Sequence, residues 1–192
     1  MGKTTNDAFT IRPLSGSDIE TLADWFQDFN DLALFDRTTP IPTAPETVRK
    51  MWQSDLDGPE PRTSYWLSAV APGGALLGVG GIHAINFIHG DGITPLFVAK
   101  TARNKGVGLA ICVRVMNLAF DSLRLRRLST FYRADNKASE ILLEKLGFQT
   151  EGRRREAWYH DGRFSDMVLA GILREDWIAR RPLLAEHALD DD

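Results

Sequence analysis

The sequence has a single cysteine, Cys112, in 192 residues, so no internal disulfide can form and a disulfide-stapled scaffold is excluded. Its four histidines stand at 83, 89, 160 and 187, without the short spacing that brings two imidazoles onto one metal, and no metal site is expected. No apolar run approaches the roughly 18 residues that a membrane-crossing helix needs. Met1–Thr10 lacks the apolar core of a secretory leader. These lacks predict a cytoplasmic protein that uses no membrane. Repeats and low-complexity tracts are missing too, and the one compositional break, Asp190-Asp191-Asp192, is expected to fray.

Net charge is also small, at −3 from 23 Lys+Arg and 26 Asp+Glu, which argues against a chain that coats nucleic acid. The total hides a pattern. Residues 1–99 carry 6 basic and 12 acidic side chains, residues 100–137 carry 9 and 2, and residues 138–192 carry 8 and 12. The central block fits either a local anion site or a solvated basic face. Arg153-Arg154-Arg155 does not extend it, because alternate strand residues face opposite ways, and no nucleic-acid partner is expected.

With 43% apolar and 26% charged residues, the composition is that of a globular chain, and this length suits one domain, here residues 1–192. Phe9–Pro13 alternates like a first strand. Ser17 and Glu20 have capping-box spacing, opening a helix whose Leu22, Trp25, Phe26 and Phe29 share a face. Thr43 and Glu46 repeat the signal before a second helix through Val48, Met51, Trp52 and Leu56. Ser64–Ala71 and Ala75–Ile85 flank Pro72-Gly73-Gly74 as a hairpin. A fourth strand, Ile93–Ala99, contains Pro95, which fits an edge, a bulge or a splayed position.

A helix then runs from about Val107 to Leu123, a fifth strand covers Arg127–Arg133, and a short helix covers Lys137–Leu146. Late strands near Phe148–Trp158 and Phe164–Leu173 precede a last helix near Glu175–His187. Strands and helices mix without strict alternation, which predicts an α+β fold.

The loop Arg103-Asn-Lys-Gly106-Val-Gly108 lies between an apolar strand and an amphipathic helix. Its glycines permit a tight turn whose amides converge, and the helix start adds positive potential, a setting for phosphate. Other phosphate motifs fail. Lys100-Thr101 has no preceding glycine and is no Walker loop, and Ile111 stands where a dinucleotide fingerprint needs its third glycine. There is no G-x-S-x-G elbow for a hydrolase.

Taken in order, these residues resemble the GNAT superfamily of N-acetyltransferases, in the branch of the ribosomal-protein alanine and spermidine acetyltransferases. Leu96-Phe-Val98 followed by Arg103–Gly108 matches its fourth strand and pyrophosphate loop. Asn136-Lys-Ala-Ser139 with Glu144-Lys-Leu-Gly-Phe148 matches the Asn-x-x-Ser and Gly-Phe segment, and Glu151-Gly152, Asp161-Gly162-Arg163 and Asp166 match the final hairpin. The likeness spans about residues 9–177, leaving a helical tail at 178–192.

The resemblance implies a mixed central sheet, splayed between strands 4 and 5, that moves an acetyl group from acetyl-CoA directly to a primary amine of a small molecule or protein N-terminus. It assigns Phe97 and Val98 to the pantetheine and thioester. It gives Arg103, Asn104, Lys105, Gly106, Val107 and Gly108 to the pyrophosphate, and Asn136 to the pantetheine or adenosine. The +7 block then reads as a cofactor footprint, and Pro95 as a strand residue whose ladder bonds pass to the ligand.

Many members place a tyrosine where this chain has Leu143. Ser139 is the substitute donor to the leaving thiolate, or else a polar helix residue satisfied locally. Base candidates are Glu156, Asp166, His83 and Asp91, with water as the alternative. Glu156 alternates with Trp158 and so would share its face, lining the acceptor site or lying in solvent. The −6 of the first 99 residues suggests a cationic acceptor, and the family often dimerises. Leu143 and the want of an obvious base leave open a non-catalytic acyl-CoA sensor or partner-binding module.

Overall fold

The computed structural model describes residues 9–35 and 41–187, with side chains as far as Leu184. The expectations for Asp190–Asp192 and, apart from Phe9 and Thr10, for the opening ten residues lie outside these. The elements are β1 (Thr10–Pro13), α1 (Ile19–Trp25), α2 (Phe29–Phe35), α3 (Pro45–Leu56), β2 (Tyr65–Val70), β3 (Leu76–Asn86), β4 (Asp91–Ile93) and β5 (Leu96–Val98). There follow α4 (Val107–Asn117), β6 (Arg127–Arg133), α5 (Lys137–Leu146), β7 (Gln149–His160), β8 (Arg163–Leu173) and α6 (Arg174–Arg180).

One mixed sheet runs in the order β1-β2-β3-β4-β6-β8-β7, with β5 attached to β3 beside β4. Only the β4–β6 pairing is parallel. The α+β expectation holds.

The starts of the helices differ in detail from their sequence signals. Asp18, not Glu20, reaches back to the Ser15 amide at 3.0 Å, because Arg12 clasps Asp18 through two 2.7 Å contacts. Glu20 pairs instead with Arg49 at 2.9 Å. The first helix breaks after Trp25, since Asp28 Oδ1 accepts from the amides of Asn30 and Asp31, each at 3.0 Å, and nucleates α2. The next helix, α3, opens with Ala44 as its cap and Pro45 in its first turn, so Thr43 is not the cap.

The expected strand Ile93–Ala99 is two strands separated by Thr94-Pro95. The long β3 serves both: His83 pairs with Ile93 of β4, and Gly78–Gly80 pair with Val98–Leu96 of β5. Only β4 continues to β6, where Ile93 lies opposite Ser129. The Thr94 amide donates to Ser129 O at 2.9 Å, and Thr130 Oγ1 donates to Thr94 O at 3.0 Å. Past this point β5 stays with β3 while β6 stays with β8, and the sheet splits. Pro95 sits at the fork. Its carbonyl accepts from Gly81 N–H at 3.2 Å, and it has no N–H to return. The bond that it forgoes is therefore one to β3, rather than one surrendered to a ligand.

Each face of the sheet has its own core. On one, α4, α5 and α6 pack Ile111, Met116, Leu146 and Trp177 onto Ala69, Ile82 and Leu128. On the other, α1, α2 and α3 pack Leu22, Leu32 and Trp52 onto Val70, Val79 and Phe97. Close approach of α4 requires glycine in β3: a Cβ on Gly80 would stand 2.6 Å from Ile111 Cγ2.

Candidate active site

The split is occupied by a cavity of about 340 Å³ that runs from one face of the sheet to the other. Phe26, Phe35, Trp52, Asp55, Trp66 and His83 line it on the α1–α3 side. Thr94, Pro95, Leu96, Thr130 and Phe131 form the passage. On the α4–α5 side the walls are Cys112, Met116, Ser139, Leu142, Leu143 and Phe148.

One edge of the passage is bare backbone. Ala99 N donates to Leu77 O at 2.9 Å and Gly81 N donates to Pro95 O, so residues 95, 97 and 99 turn toward β3. By antiparallel alternation the backbone groups of Leu96 and Val98 turn the other way, into the split. Arg103 Nε donates to Val98 O at 3.1 Å. Phe97 looks elsewhere, since its side chain is buried on the α1–α3 face, stacked on Trp25 with centroids 5.0 Å apart.

The glycine loop follows β5 and ends as the start of α4, with Gly106 as its cap at φ +82°. A side chain is strained at that angle, and a Cβ there would meet nothing within 4 Å, so the loop opens outward. Arg103, Asn104, Lys105 and Gly106 are exposed, Gly108 is half-buried and Val107 is buried.

Much of the positive charge around this loop is already paired. Lys100 Nζ lies 2.7 Å from Asp28 and Arg103 Nη2 lies 3.0 Å from the buried Asp31, both acids belonging to the α2 region. The bond from Lys100 holds the Asp28 carboxyl below its usual range, and the Lys100 ammonium is correspondingly raised. Further along, Arg127 pairs with Glu151 and Lys137 with Glu140, each at 2.6 Å. Thus part of the excess of residues 100–137 is matched by acids from other segments, and Lys105 makes no ion pair among the described residues.

Asn136 and Ser139 are brought together at the start of α5, where Asn136 Oδ1 accepts from the Ser139 amide at 3.2 Å. Ser139 reaches the cavity. Cys112 lines it too, and burial pushes its thiol up to about 12. Tyr132, which sequence reasoning passed over, also lines this end. Burial raises its hydroxyl, and the nearby Glu140 and Glu144 add to the effect.

Glu156 is not brought in. A bulge between Arg154 and Trp158 breaks the alternation on which its shared face with Trp158 depended. Trp158 is buried and donates to Ala33 O at 2.9 Å. Glu156 is exposed at φ +49°, with its amide donating to Asp166 Oδ1 at 2.9 Å. Asp166 and Asp91 do not line the cavity either, whereas His83 does.

Trp66, Asp55 and Thr130 were not selected from the sequence. Trp66 pairs with Gly81, two residues from His83, but the bulge between Ala69 and Val70 hides that placement from a count across the turn. No helix among the described residues is long and apolar enough to cross a membrane, and no group of their His, Cys, Asp and Glu side chains could hold a metal.

Residues 8–149 match the family model described as an acetyltransferase (GNAT) domain. YdaF of Bacillus subtilis (strain 168), which carries the name of a ribosomal N-acetyltransferase, is 29% identical over 180 residues, 90% of this chain and 94% of that protein. The spermidine N(1)-acetyltransferase of Vibrio cholerae is 26% identical over 105 residues, 55% of this chain and 61% of that one. A crystal structure of the Vibrio cholerae spermidine N-acetyltransferase with CoA and spermine superposes with a TM-score of 0.80 at 19% identity, covering 90% of this chain and 99% of that one.

Proposed function

The chain belongs to the GNAT acetyltransferase family, which moves an acetyl group from acetyl-CoA to an amine, and we propose that transfer is direct and takes place in the split between β5 and β6. The observation that carries this reading is the cavity that joins the two faces of the sheet where β5 and β6 part. Donor and acceptor can then enter from opposite faces and meet at the middle.

The donor fits the α4–α5 side. Amides of Arg103, Asn104, Lys105, Gly106, Val107 and Gly108, at the start of an eleven-residue helix, take the pyrophosphate. The pantetheine lies along the bare edge of β5, bonded by Leu96 and Val98, and Phe97 supports that edge from the opposite core. Asn136 fixes the first turn of α5 and so sets the position of Ser139.

The amine nitrogen attacks the thioester carbon, a C–N bond forms and the C–S bond breaks. The Val98 amide, unpaired by β3, stabilises the oxyanion. Ser139 donates a proton to the departing thiolate and regains one from water. The proton lost by the attacking amine passes to water or to His83 on the acceptor side. Cys112 stays a neutral thiol and takes no acetyl group. The acceptor is cationic, a small amine or a protein N-terminus, in keeping with the acidic first 99 residues and with the spermine named in the Vibrio cholerae complex.

Incubation with acetyl-CoA and a panel of amines should release free thiol, and calorimetry should show CoA binding that Gly106→Trp abolishes. A protein that binds no acyl-CoA would overturn the proposal.

A further inference from the structure

We propose that Asp55 is a specificity-determining residue, which receives a second, non-reacting ammonium group of the acceptor. The inference rests on the reading that this split is the transfer site.

Asp55 is the only aspartate, glutamate, lysine or arginine among the described residues that line the cavity. It is half-buried on α3. Its Oδ2 accepts from Trp66 Nε1 at 2.8 Å, which fixes its direction through an uncharged donor. No lysine or arginine among the described residues pairs with it. A carboxylate drawn out of water and held only by a neutral donor gains strongly from a cation.

Its surroundings favour an alkylammonium over a metal or a hydrated ion. Trp66 meets Trp52 edge-on with centroids 4.7 Å apart, and stacks on His83 at 6.3 Å with the planes 16° apart. Aromatic faces beside a carboxylate attract an organic cation and accept its methylenes. The charge that Asp55 keeps cannot be that of the reacting nitrogen, which must be neutral when it attacks. It belongs to another ammonium on the same acceptor.

The test compares 1,4-diaminobutane with 4-amino-1-butanol, which differ by one ammonium group, binding to the CoA-loaded protein by calorimetry. The wild type should bind the diamine about tenfold more tightly, and Asp55→Asn, which keeps an oxygen for Trp66, should bind the two alike. Acetyl-CoA affinity and thermal midpoint should not change. Asp55→Glu should restore part of the preference. Where turnover is measured, the loss should fall on the KM for the diamine and leave kcat within about twofold, whereas loss of a base would fall on kcat.

Equal binding of the two amines by the wild type, or a preference that survives in Asp55→Asn, would overturn the inference. Failure of every amine to release thiol would instead sink the transfer reading, and the binding ratios would still decide the role of Asp55.

Discussion

The two sides of the split are built from the chain in different ways. The α4–α5 side takes its parts from one stretch, β5 through α5, in which loop, helix start and serine follow one another within about fifty residues. The α1–α3 side gathers Phe35, Trp52, Asp55, Trp66 and His83 from four separate elements and Phe26 from the cap that ends α1. The first arrangement is set by local geometry and the second by tertiary packing. Their interiors differ as well. Eight residues of α4 are buried and none of them is charged, whereas the opposite face contains the buried Asp18, Asp31 and Ser68.

The largest expected effect tests the apolar side. Ile111 is fully buried and fills the space that Gly80 leaves open. Ile111→Ala should lower stability by about 3 kcal/mol, through lost burial and the cavity left behind. Urea denaturation reads this directly, and a loss below about 1 kcal/mol would mean that α4 does not anchor the sheet.

On the polar side the corresponding change is Asp18→Asn. Burial alone would raise this carboxyl, but hydrogen bonds from Arg12, the Ser15 amide and Ser68, with the charge of Arg12, bring it below its ordinary value. A depressed carboxyl contributes stability above its unfolded value of about 4, and loses it as the pH falls through the lower folded value. Asp18→Asn should therefore cost about 2 kcal/mol at pH 7. The difference from the wild type should narrow below pH 4, in urea titrations at each pH. A difference independent of pH would assign the effect to shape and not to charge. The Ile111→Ala difference should show no such narrowing.

This contrast explains what could be read in the sequence. The loop Arg103–Gly108, the Asn136 cap and Ser139 lie close together along the chain, and a spacing is enough to find them. Asp31 and Arg103 stand 72 residues apart, and no local pattern announces their 3.0 Å contact. For that reason the basic block looked like open positive charge when part of it was already matched. Glu156 failed for a different reason: alternation holds only while the ladder is regular, and the bulge before Trp158 shifts the parity. The fold order was legible because periods of two and of three to four residues survive in most elements. The fork at Thr94-Pro95 was legible only as a disturbance, since it depends on which partner each half-strand finds.

A smaller effect bears on the middle of the split, where both sides meet. Ser139→Ala should lower kcat about tenfold while leaving the KM for acetyl-CoA nearly unchanged, because a proton donor to the thiolate acts only as the C–S bond breaks. Leu143 also lines the cavity, one helical turn further along α5. Leu143→Tyr in the Ser139→Ala background should recover part of that rate, since a phenol from the same helix face can make the same donation. Steady-state kinetics of the three variants would settle it, and a Ser139→Ala enzyme with full kcat would remove the serine from the mechanism.

The smallest expected effect is at Cys112, and it separates direct transfer from a route through an acetylated cysteine. The thiol lines the α4–α5 end of the cavity, so position alone does not dismiss it. Its chemistry does. Only the thiolate attacks a thioester at a useful rate, and burial pushes this thiol up to about 12, so the reactive form is scarce near neutral pH. No lysine or arginine among the described residues lines the cavity to lower it. Cys112→Ala should lose about 1 kcal/mol of stability from the small void and keep kcat within about twofold. A folded Cys112→Ala protein with kcat reduced tenfold or more, or an acetyl group found on Cys112 after mixing with acetyl-CoA, would show that the acetyl group stops on the protein before it reaches the amine.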